Sequence, residues 1–185
     1  KEKEIENAFL EWQKENSIIL SPRQAEAVKN LKYRISIVTG GPGTGKTTCL
    51  RAIMDVYHKV WPSEHILLMA PTGLAAKRMA ESTGMNSATI HKACGLVPAD
   101  NPSGFKAQGE CRICGFVGID EMSMVGEHLF AFAVDAVLNS PSTRIVLLGD
   151  TDQLAPVSRG DVLRDLIECG VIKTVRLDVN YRQGS

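Results

Sequence analysis

The sequence predicts an α/β fold, with a mainly parallel β-sheet covered by helices on both faces. Short, continuously apolar runs such as HILLMAP (65–71) and TRIVLLGD (143–150) indicate strands that are buried on both sides. Stretches with apolar residues at helical spacing alternate with these runs, which is typical of parallel sheets. The chain has 185 residues, enough for one well-packed domain.

Two helices precede the first strand. Apolar residues recur at helical spacing between residues 5 and 12, which predicts a short amphipathic lead-in helix. A second helix is predicted from residue 21, because Ser21 suits an N-cap, Pro22 the first helical position and Gln24 the third.

From residue 34 the strands and helices alternate. The predicted strands are RISIVTG (34–40), HILLMAP (65–71), CGFVGID (114–120), TRIVLLGD (143–150) and KTVRLD (173–178), and the predicted helices cover residues 46–60, 73–82, 126–138 and 161–168. Residues 95–114 are rich in Gly, Pro and polar residues and break the alternation, so an extended loop or a hairpin is expected there. Sheets of this kind bind ligands at the carboxyl ends of their strands.

Composition narrows the functional classes. Lys plus Arg and Asp plus Glu each number 21, so the chain has no overall basic footprint, although a local patch or groove for nucleic acid remains open. No apolar run approaches the ~18 residues of a membrane span. The five cysteines include one close pair, Cys111 and Cys114, whereas structural zinc normally needs four ligands. Reduced thiols and a cytoplasmic location are therefore expected.

The segment GGPGTGKTT (40–48) matches the phosphate-binding pattern G-x-x-x-x-G-K-[ST] and lies between a predicted strand and a predicted helix. Its glycines allow backbone N–H groups to surround phosphate oxygens at a helix N-terminus. Lys46 is expected to reach the β- and γ-phosphates of ATP, and the Thr47 hydroxyl to ligate Mg²⁺. The predicted nucleotide-binding residues of the loop are Gly41, Gly43, Thr44, Gly45, Lys46, Thr47 and Thr48. The alternative is a glycine-rich turn that binds nothing.

Two adjacent acids, Asp120 and Glu121, follow the predicted strand at 114–120. Asp120 suits the acid that holds Mg²⁺ through Thr47 or through water. Glu121 could activate an attacking water, a base that a hydrolase needs and a nucleotide kinase does not. A solvated turn with two acids is the alternative.

Three more polar residues suit an NTP hydrolase. Gln153 follows the predicted strand at 143–150, and Arg182 follows the last strand, where an arginine could stabilise charge on the γ-phosphate. Gln24 could recognise the adenine edge, although Ser21-x-x-Gln24 is also a capping box and the two roles are compatible. Lys46, Glu121, Gln153 and Arg182 are the predicted catalytic residues.

Seven segments, taken in order, resemble the successive motifs of a superfamily 1 DNA helicase of the RecD/TraA type, the group of the exodeoxyribonuclease V alpha subunit. They are LSPRQAEAV, GGPGTGKTT, APTGLAAKRMAE, ATIHKACG, GIDEMSMV, GDTDQLAPVSRGDVLRDLI and LDVNYRQ, and the resemblance covers residues 17–183. The resemblance implies a RecA-like P-loop NTPase domain that uses ATP and Mg²⁺. It also implies movement 5′ to 3′ along single-stranded DNA, in recombination or repair, with other subunits of a nuclease complex as candidate partners.

The resemblance also implies a set of DNA contacts. The implied residues are Pro71, Thr72, Gly73, Thr89 and His91. A helix N-cap is the alternative role for Thr72, and a packed or solvated side chain is the alternative for His91. Leu74 stands where the family commonly has a basic residue, which puts one backbone contact in doubt.

The expected organisation is a helical lead-in over residues 1–20 and a motor domain over 21–185, with 95–114 as either a strand-parting hairpin or an ordinary surface loop. The resemblance implies a second motor domain, which is expected to lie outside these 185 residues, and an ATP site between the two domains. The chain alone is therefore expected to fold and to bind nucleotide weakly, but neither to hydrolyse ATP efficiently nor to unwind DNA.

Three other functional classes fit the motifs less well. The nearest is a stand-alone PhoH-like P-loop ATPase, which lacks a second motor domain; the APTG and NYRQ segments favour the helicase. A GTPase is disfavoured because no Asn-Lys-x-Asp guanine-recognition segment is present. A binding subunit that has lost catalysis is disfavoured because all four predicted catalytic residues are retained.

Overall fold

The computed structural model describes residues 1–108, 114–137, 142–154 and 156–178. The helices are α1 (Glu2–Asn16), α2 (Pro22–Lys29), α3 (Lys46–Val60), α4 (Gly73–Thr83), α5 (Ile90–Ala93), α6 (Glu127–Val137) and α7 (Val162–Glu168). The strands are β1 (Ile35–Thr39), β2 (Ile66–Ala70), β3 (Ser87–Thr89), β4 (Leu96–Pro98), β5 (Phe105–Ala107), β6 (Phe116–Ile119), β7 (Arg144–Gly149) and β8 (Lys173–Arg176). One-turn 3₁₀ helices cover Asn30–Lys32 and Met122–Met124.

Six strands form one sheet in the order β3-β2-β6-β7-β1-β8, and every neighbouring pair in it is parallel. This arrangement confirms the predicted α/β class with a parallel sheet. All five strands predicted from the sequence belong to this sheet. Because the strands run the same way, all of their carboxyl ends meet at one edge.

Two hydrophobic clusters cover the two faces of the sheet. Alternate residues of one strand enter different clusters: Val38 of β1 packs with residues of α1, α2 and α3, whereas Ile37 packs with residues of α6 and α7. Val146 and Leu147 of β7 divide in the same way. Burial on both faces is the reason that these strands contain consecutive apolar residues rather than an apolar residue at every second position.

The lead-in helix α1 is part of this core. Its residues Ile5, Phe9 and Trp12 are buried in the same cluster as residues of α3. The Trp12 indole Nε1 also donates a hydrogen bond to Asp55 Oδ2 of α3, over 2.8 Å. The predicted amphipathic helix is thus confirmed, while the proposed domain boundary at residue 20 stays a prediction.

Residues 95–108 form most of an antiparallel hairpin, β4 paired with β5, in which Leu96 lies opposite Ala107 and Pro98 opposite Phe105. The sequence left a loop and a hairpin open, and residues 109–113 lie outside the described part of the chain. The short elements β3 and α5 were not predicted, because three and four residues are too few to show a periodicity.

In the described ranges, no helix has the length and apolar character needed to cross a membrane. Cys49, Cys94 and Cys114 are buried, and Cys169 is exposed. Cys111 lies outside the described residues. Among the residues that the structure covers, no group of three or more His, Cys, Asp or Glu side chains could hold a metal ion.

Candidate functional site

The carboxyl edge of the sheet brings the predicted site segments together. The phosphate loop follows β1, the acids Asp120 and Glu121 follow β6, and the turn that contains Gln153 follows β7. In the sheet β7 lies between β1 and β6, so this turn starts between the phosphate loop and the acids. Two backbone hydrogen bonds connect neighbouring segments at this edge. Gly40 N donates to the carbonyl oxygen of Gly149 over 3.3 Å, and Asp120 N donates to the carbonyl oxygen of Met69 over 3.1 Å.

The phosphate loop wraps around the ammonium group of Lys46. The Lys46 Nζ donates to the carbonyl oxygens of Gly40 and Gly41. Gly43 and Gly45 have φ angles of 77° and 88°, in the left-handed region that side chains disfavour. Gly45 caps the N-terminus of the 15-residue helix α3 without a side-chain bond, so the first N–H groups of that helix face the loop. A positive charge and a helix N-terminus therefore share one concave loop, which is the chemistry of a phosphate site.

Gln24 is buried between α2 and the phosphate loop. Its Oε1 accepts a hydrogen bond from Ser21 N over 3.0 Å, and Ser21 Oγ accepts one from Gln24 N over 3.2 Å, which confirms the capping box. The remaining amide group, Nε2, donates to the Gly45 carbonyl oxygen over 3.5 Å. Gln24 thus fixes α2 against the loop, and its contact with adenine stays a prediction.

The acidic pair lies at the end of β6, partly withdrawn from solvent. Burial raises the pKa of Asp120, although the Glu121 N–H, which donates to Asp120 Oδ1 over 2.8 Å, and the charge of Lys46 act against the shift. Burial also raises the pKa of Glu121, and the neighbouring charge of Asp120 adds to it, with Lys46 and Arg78 opposing. A solvated turn would show neither effect, so the structure disfavours that alternative.

The backbone of Glu121 adopts a left-handed conformation, with φ 55° and ψ 40°. For a residue with a side chain this conformation costs about 1–2 kcal/mol. Only one other non-glycine residue in the described ranges, Ser17 at the end of α1, has a positive φ. Strained backbone of this kind clusters at functional sites, where the surrounding structure holds it.

Two residues of this edge were missed by the sequence reasoning. Ser123, in the one-turn helix after the acids, donates its hydroxyl to Gln153 Oε1 over 3.2 Å. Asp150 is buried at the end of β7, and its Oδ1 accepts from Asp152 N over 2.9 Å, which holds the turn that carries Gln153. No spacing in the sequence indicates a contact across 30 residues, whereas the strand end GD at 149–150 was a usable signal for Asp150.

The predicted DNA-contact residues lie at the ends of β2 and β3. Thr72 Oγ1 accepts from Ala75 N and caps α4, and Thr89 Oγ1 accepts from Lys92 N and caps α5, each over 3.2 Å. The N-cap role of Thr72 is therefore confirmed. The imidazole of His91 packs edge-on against Phe105 of the hairpin, with ring centroids 5.2 Å apart. Contact of any of these residues with DNA stays a prediction.

Arg182 lies outside the described residues. Pro71 and Gly73 flank the Thr72 cap, and the side chain of Leu74 is 61% exposed beside them. The structure thus brings together the predicted phosphate, metal and water-activating residues at one edge, with the predicted DNA residues at the β3 end of the same edge.

Comparison with known proteins agrees with this geometry. The family described as an AAA domain matches residues 19–185. The chain is 37% identical over 168 residues to a Deinococcus radiodurans protein named ATP-dependent RecD2 DNA helicase, and covers 22% of it. It is 36% identical over 185 residues to the RecBCD enzyme subunit RecD of Mycolicibacterium smegmatis, and covers 33% of it. These matches include 90% and 88% of this chain.

A solved structure, the Pif1 helicase from Candida albicans, superposes on 90% of this chain and 41% of that one, with a TM-score of 0.63 and 27% sequence identity. The chain thus spans about a fifth to a third of the curated relatives described here. The similarity covers nearly all of this chain and only part of each of these proteins.

Proposed function

Since this chain belongs to the AAA domain family, we propose that it is the ATP-binding motor domain of an ATP-dependent DNA helicase that moves 5′ to 3′ along single-stranded DNA. Membership of the family implies nucleotide binding. The named relatives, a RecD2 helicase and a RecD subunit, support the helicase assignment and a role in recombination or repair.

The observation that carries the proposal is the meeting of three segments at one sheet edge. Lys46, in the phosphate loop, supplies the positive charge for the β- and γ-phosphates. Glu121 supplies a carboxylate that can accept a proton from water, and its raised pKa suits a base that works near neutral pH. Gln153 lies on the turn that starts between them, where it can respond to the γ-phosphate.

The residues present fit a magnesium ion. Asp120 offers a carboxylate and Thr47 a hydroxyl, and oxygen donors are the ligands that Mg²⁺ prefers. The carboxylate of Asp120 is costly to bury in charged form, as its raised pKa shows, and a bound cation would offset that cost. When bound, Mg²⁺ would neutralise charge on the β- and γ-phosphate oxygens.

The other end of the same edge suits a nucleic-acid backbone. Thr72 and Thr89 begin helices α4 and α5, so free N–H groups of helix N-termini lie there with the hydroxyls. Such groups recognise phosphates without regard to sequence, as a translocating motor requires. Pro71, Gly73 and His91 complete the proposed contact surface.

The hairpin formed by β4 and β5 projects next to this surface. His91 of α5 contacts Phe105 of β5, whose ring lies 5.3 Å from that of Phe132 on α6. The hairpin is therefore fixed to the sheet domain beside the proposed DNA contacts. This location favours a strand-parting hairpin over an ordinary loop.

The test is ATP hydrolysis by the full-length gene product that contains this chain, with and without a single-stranded DNA oligonucleotide. We expect stimulation by DNA, loss of turnover in Glu121→Gln, and retention of nucleotide binding in that variant. Duplexes with a 5′ or a 3′ single-stranded tail determine direction, and unwinding of the 5′-tailed substrate alone is expected. Unwinding of the 3′-tailed substrate alone would contradict the proposed polarity.

Turnover that DNA does not affect would favour the stand-alone PhoH-like ATPase. The relatives described above give that alternative no support.

As a second part of the proposal, the full-length protein assembles with other subunits of a recombination nuclease, as the name of the M. smegmatis relative suggests. Affinity purification of the tagged protein tests it, and a preparation that carries no nuclease subunit would contradict it.

A further inference from the structure

Ser123 lies at the centre of the one-turn helix Met122–Met124, immediately after the acidic pair. Its side chain is buried, with 5% of the residue exposed, and its hydroxyl donates to Gln153 Oε1 over 3.2 Å. The two residues are 30 positions apart and belong to turns that follow different strands, β6 and β7. We propose that Ser123 is a positioning residue that holds Gln153 in register with the acids.

The serine is well placed for this role because its own turn is fixed. Met122 is fully buried in the core, and a Cβ built on Gly149 would lie 3.3 Å from the backbone nitrogen of Met122. The turn after the acids therefore packs directly against the end of β7. On its other side the left-handed backbone of Glu121 fixes the entry to the turn.

Gln153, in contrast, needs a fixed partner. The residue is exposed, and its backbone N–H makes only a 3.3 Å bond to the Asp150 carbonyl oxygen. Gln153 has three side-chain torsions, so a long amide at an exposed turn samples many rotamers unless a hydrogen bond selects one. Since Ser123 Oγ donates to Oε1, the Nε2 group of Gln153 stays available as a donor to an anionic oxygen.

This positioning role of Ser123 rests on the proposed function, in which Gln153 responds to the γ-phosphate. In this proposal Ser123 acts through Gln153 and not on a reacting group. Its removal should therefore change kcat through Gln153 and leave the affinity for ATP nearly unchanged.

The test uses the full-length gene product in four forms: wild type, Ser123→Ala, Gln153→Ala and the double variant. Loss of one neutral hydrogen bond predicts about a five-fold lower DNA-stimulated kcat in Ser123→Ala, with KM for ATP within about two-fold. Gln153→Ala should lose more, and the double variant should be no slower than Gln153→Ala. Effects that multiply in the double variant would overturn the proposal.

Hydrogen exchange of the peptide that covers residues 151–154 gives a readout that needs no catalysis. We expect about five-fold faster exchange there in Ser123→Ala, and no change in Ser36→Ala, which removes a hydroxyl from an equally buried serine of β1 (3% exposed). Equal exchange in Ser123→Ala and wild type would overturn the link.

A variant that fails to fold and a failure of the proposed function can each be distinguished from a failure of this inference. If Ser123→Ala does not fold, Gln153→Ala tests the same bond from its exposed side. Faster exchange in the peptide of residues 151–154 then supports the link, and unchanged exchange there overturns it. If the wild-type protein shows no DNA-stimulated hydrolysis, the proposed function fails, while the exchange comparison still decides whether Ser123 positions Gln153.

Discussion

The left-handed backbone of Glu121 predicts that two variants with the same loss of activity differ in stability. Replacement by Gly and replacement by Ala both remove the carboxylate, so the two variants differ only in backbone preference. At φ 55° an Ala residue bears the cost of about 1–2 kcal/mol that a Cβ imposes, and Gly does not. Gly loses about 0.5–1 kcal/mol more in chain entropy on folding. The balance favours Glu121→Gly over Glu121→Ala by about 0.5–1 kcal/mol.

At a matched control position, Gly is expected to be less stable than Ala. Ala131 is exposed in the middle of α6, where the backbone is right-handed helix. Ala131→Gly should therefore destabilise the protein by about 0.5–1 kcal/mol relative to the parent residue. The same pair of residue types, Ala and Gly, thus ranks in opposite order at the two positions.

The assay is urea unfolding of the purified chain, followed by far-UV circular dichroism, with ATP turnover of the full-length protein measured in parallel. Both Glu121 variants should lose about 10²–10⁴ in turnover, because a general base contributes that much. A higher free energy of unfolding for Glu121→Ala than for Glu121→Gly would refute the strain at this position. Turnover retained in either variant would refute the role of Glu121 as the base.

Three further outcomes are expected. Lys46→Ala should abolish binding of a fluorescent ATP analogue while circular dichroism shows that the fold is retained, and undiminished binding would contradict the phosphate role of this lysine. Trp12→Ala should lower the free energy of unfolding by about 3–5 kcal/mol, because a buried indole and its hydrogen bond to Asp55 are lost, and Trp12→Phe should lower it by less. A change below about 1 kcal/mol in Trp12→Ala would show that α1 is not part of the core. Because the pKa of Asp120 is raised in the folded chain, the folded state binds more protons than the unfolded state at pH values between the ordinary pKa of 3.8 and the raised pKa. The stabilisation that Asp120 contributes is therefore complete below pH 3.8 and is lost as the pH rises through the raised pKa. Asp120→Asn should flatten that slope in urea titrations at several pH values, and an unchanged slope would contradict the shift.

Much of the fold was predictable because the sheet is buried on both faces. In β7 the consecutive residues from Ile145 to Leu148 are all apolar, and this pattern separates such strands clearly from the amphipathic helices between them. The helix bounds of α3 were predicted to the residue, since Gly45 ends the loop and Trp61 ends the periodic stretch. The elements that were missed, β3 and α5, have three and four residues, which is too few for a periodic pattern to repeat.

The predictable parts of the candidate site are those built from residues that are neighbours in the sequence. A phosphate loop uses consecutive backbone groups and one lysine, so its residues are neighbours in the sequence. The capping box at Ser21 and Gln24 is local for the same reason. The left-handed backbone of Glu121 was not predictable, because a glutamate gives no sign of a conformation that the surrounding fold imposes.

The contacts that connect these local units depend on the strand order, which no motif states. Asp120 and Gln153 come from β6 and β7, neighbours in the sheet, and only this adjacency brings the serine that follows the acids within 3.2 Å of the glutamine side chain. The sheet also places β7, rather than β6, directly beside β1, so the turn with Gln153 lies nearer to the phosphate loop than the acids' own strand does. A change at the γ-phosphate would therefore reach Gln153 and Glu121 through two neighbouring strand ends that share one hydrogen bond. That bond is the physical reason to expect the two residues to respond together rather than one after the other.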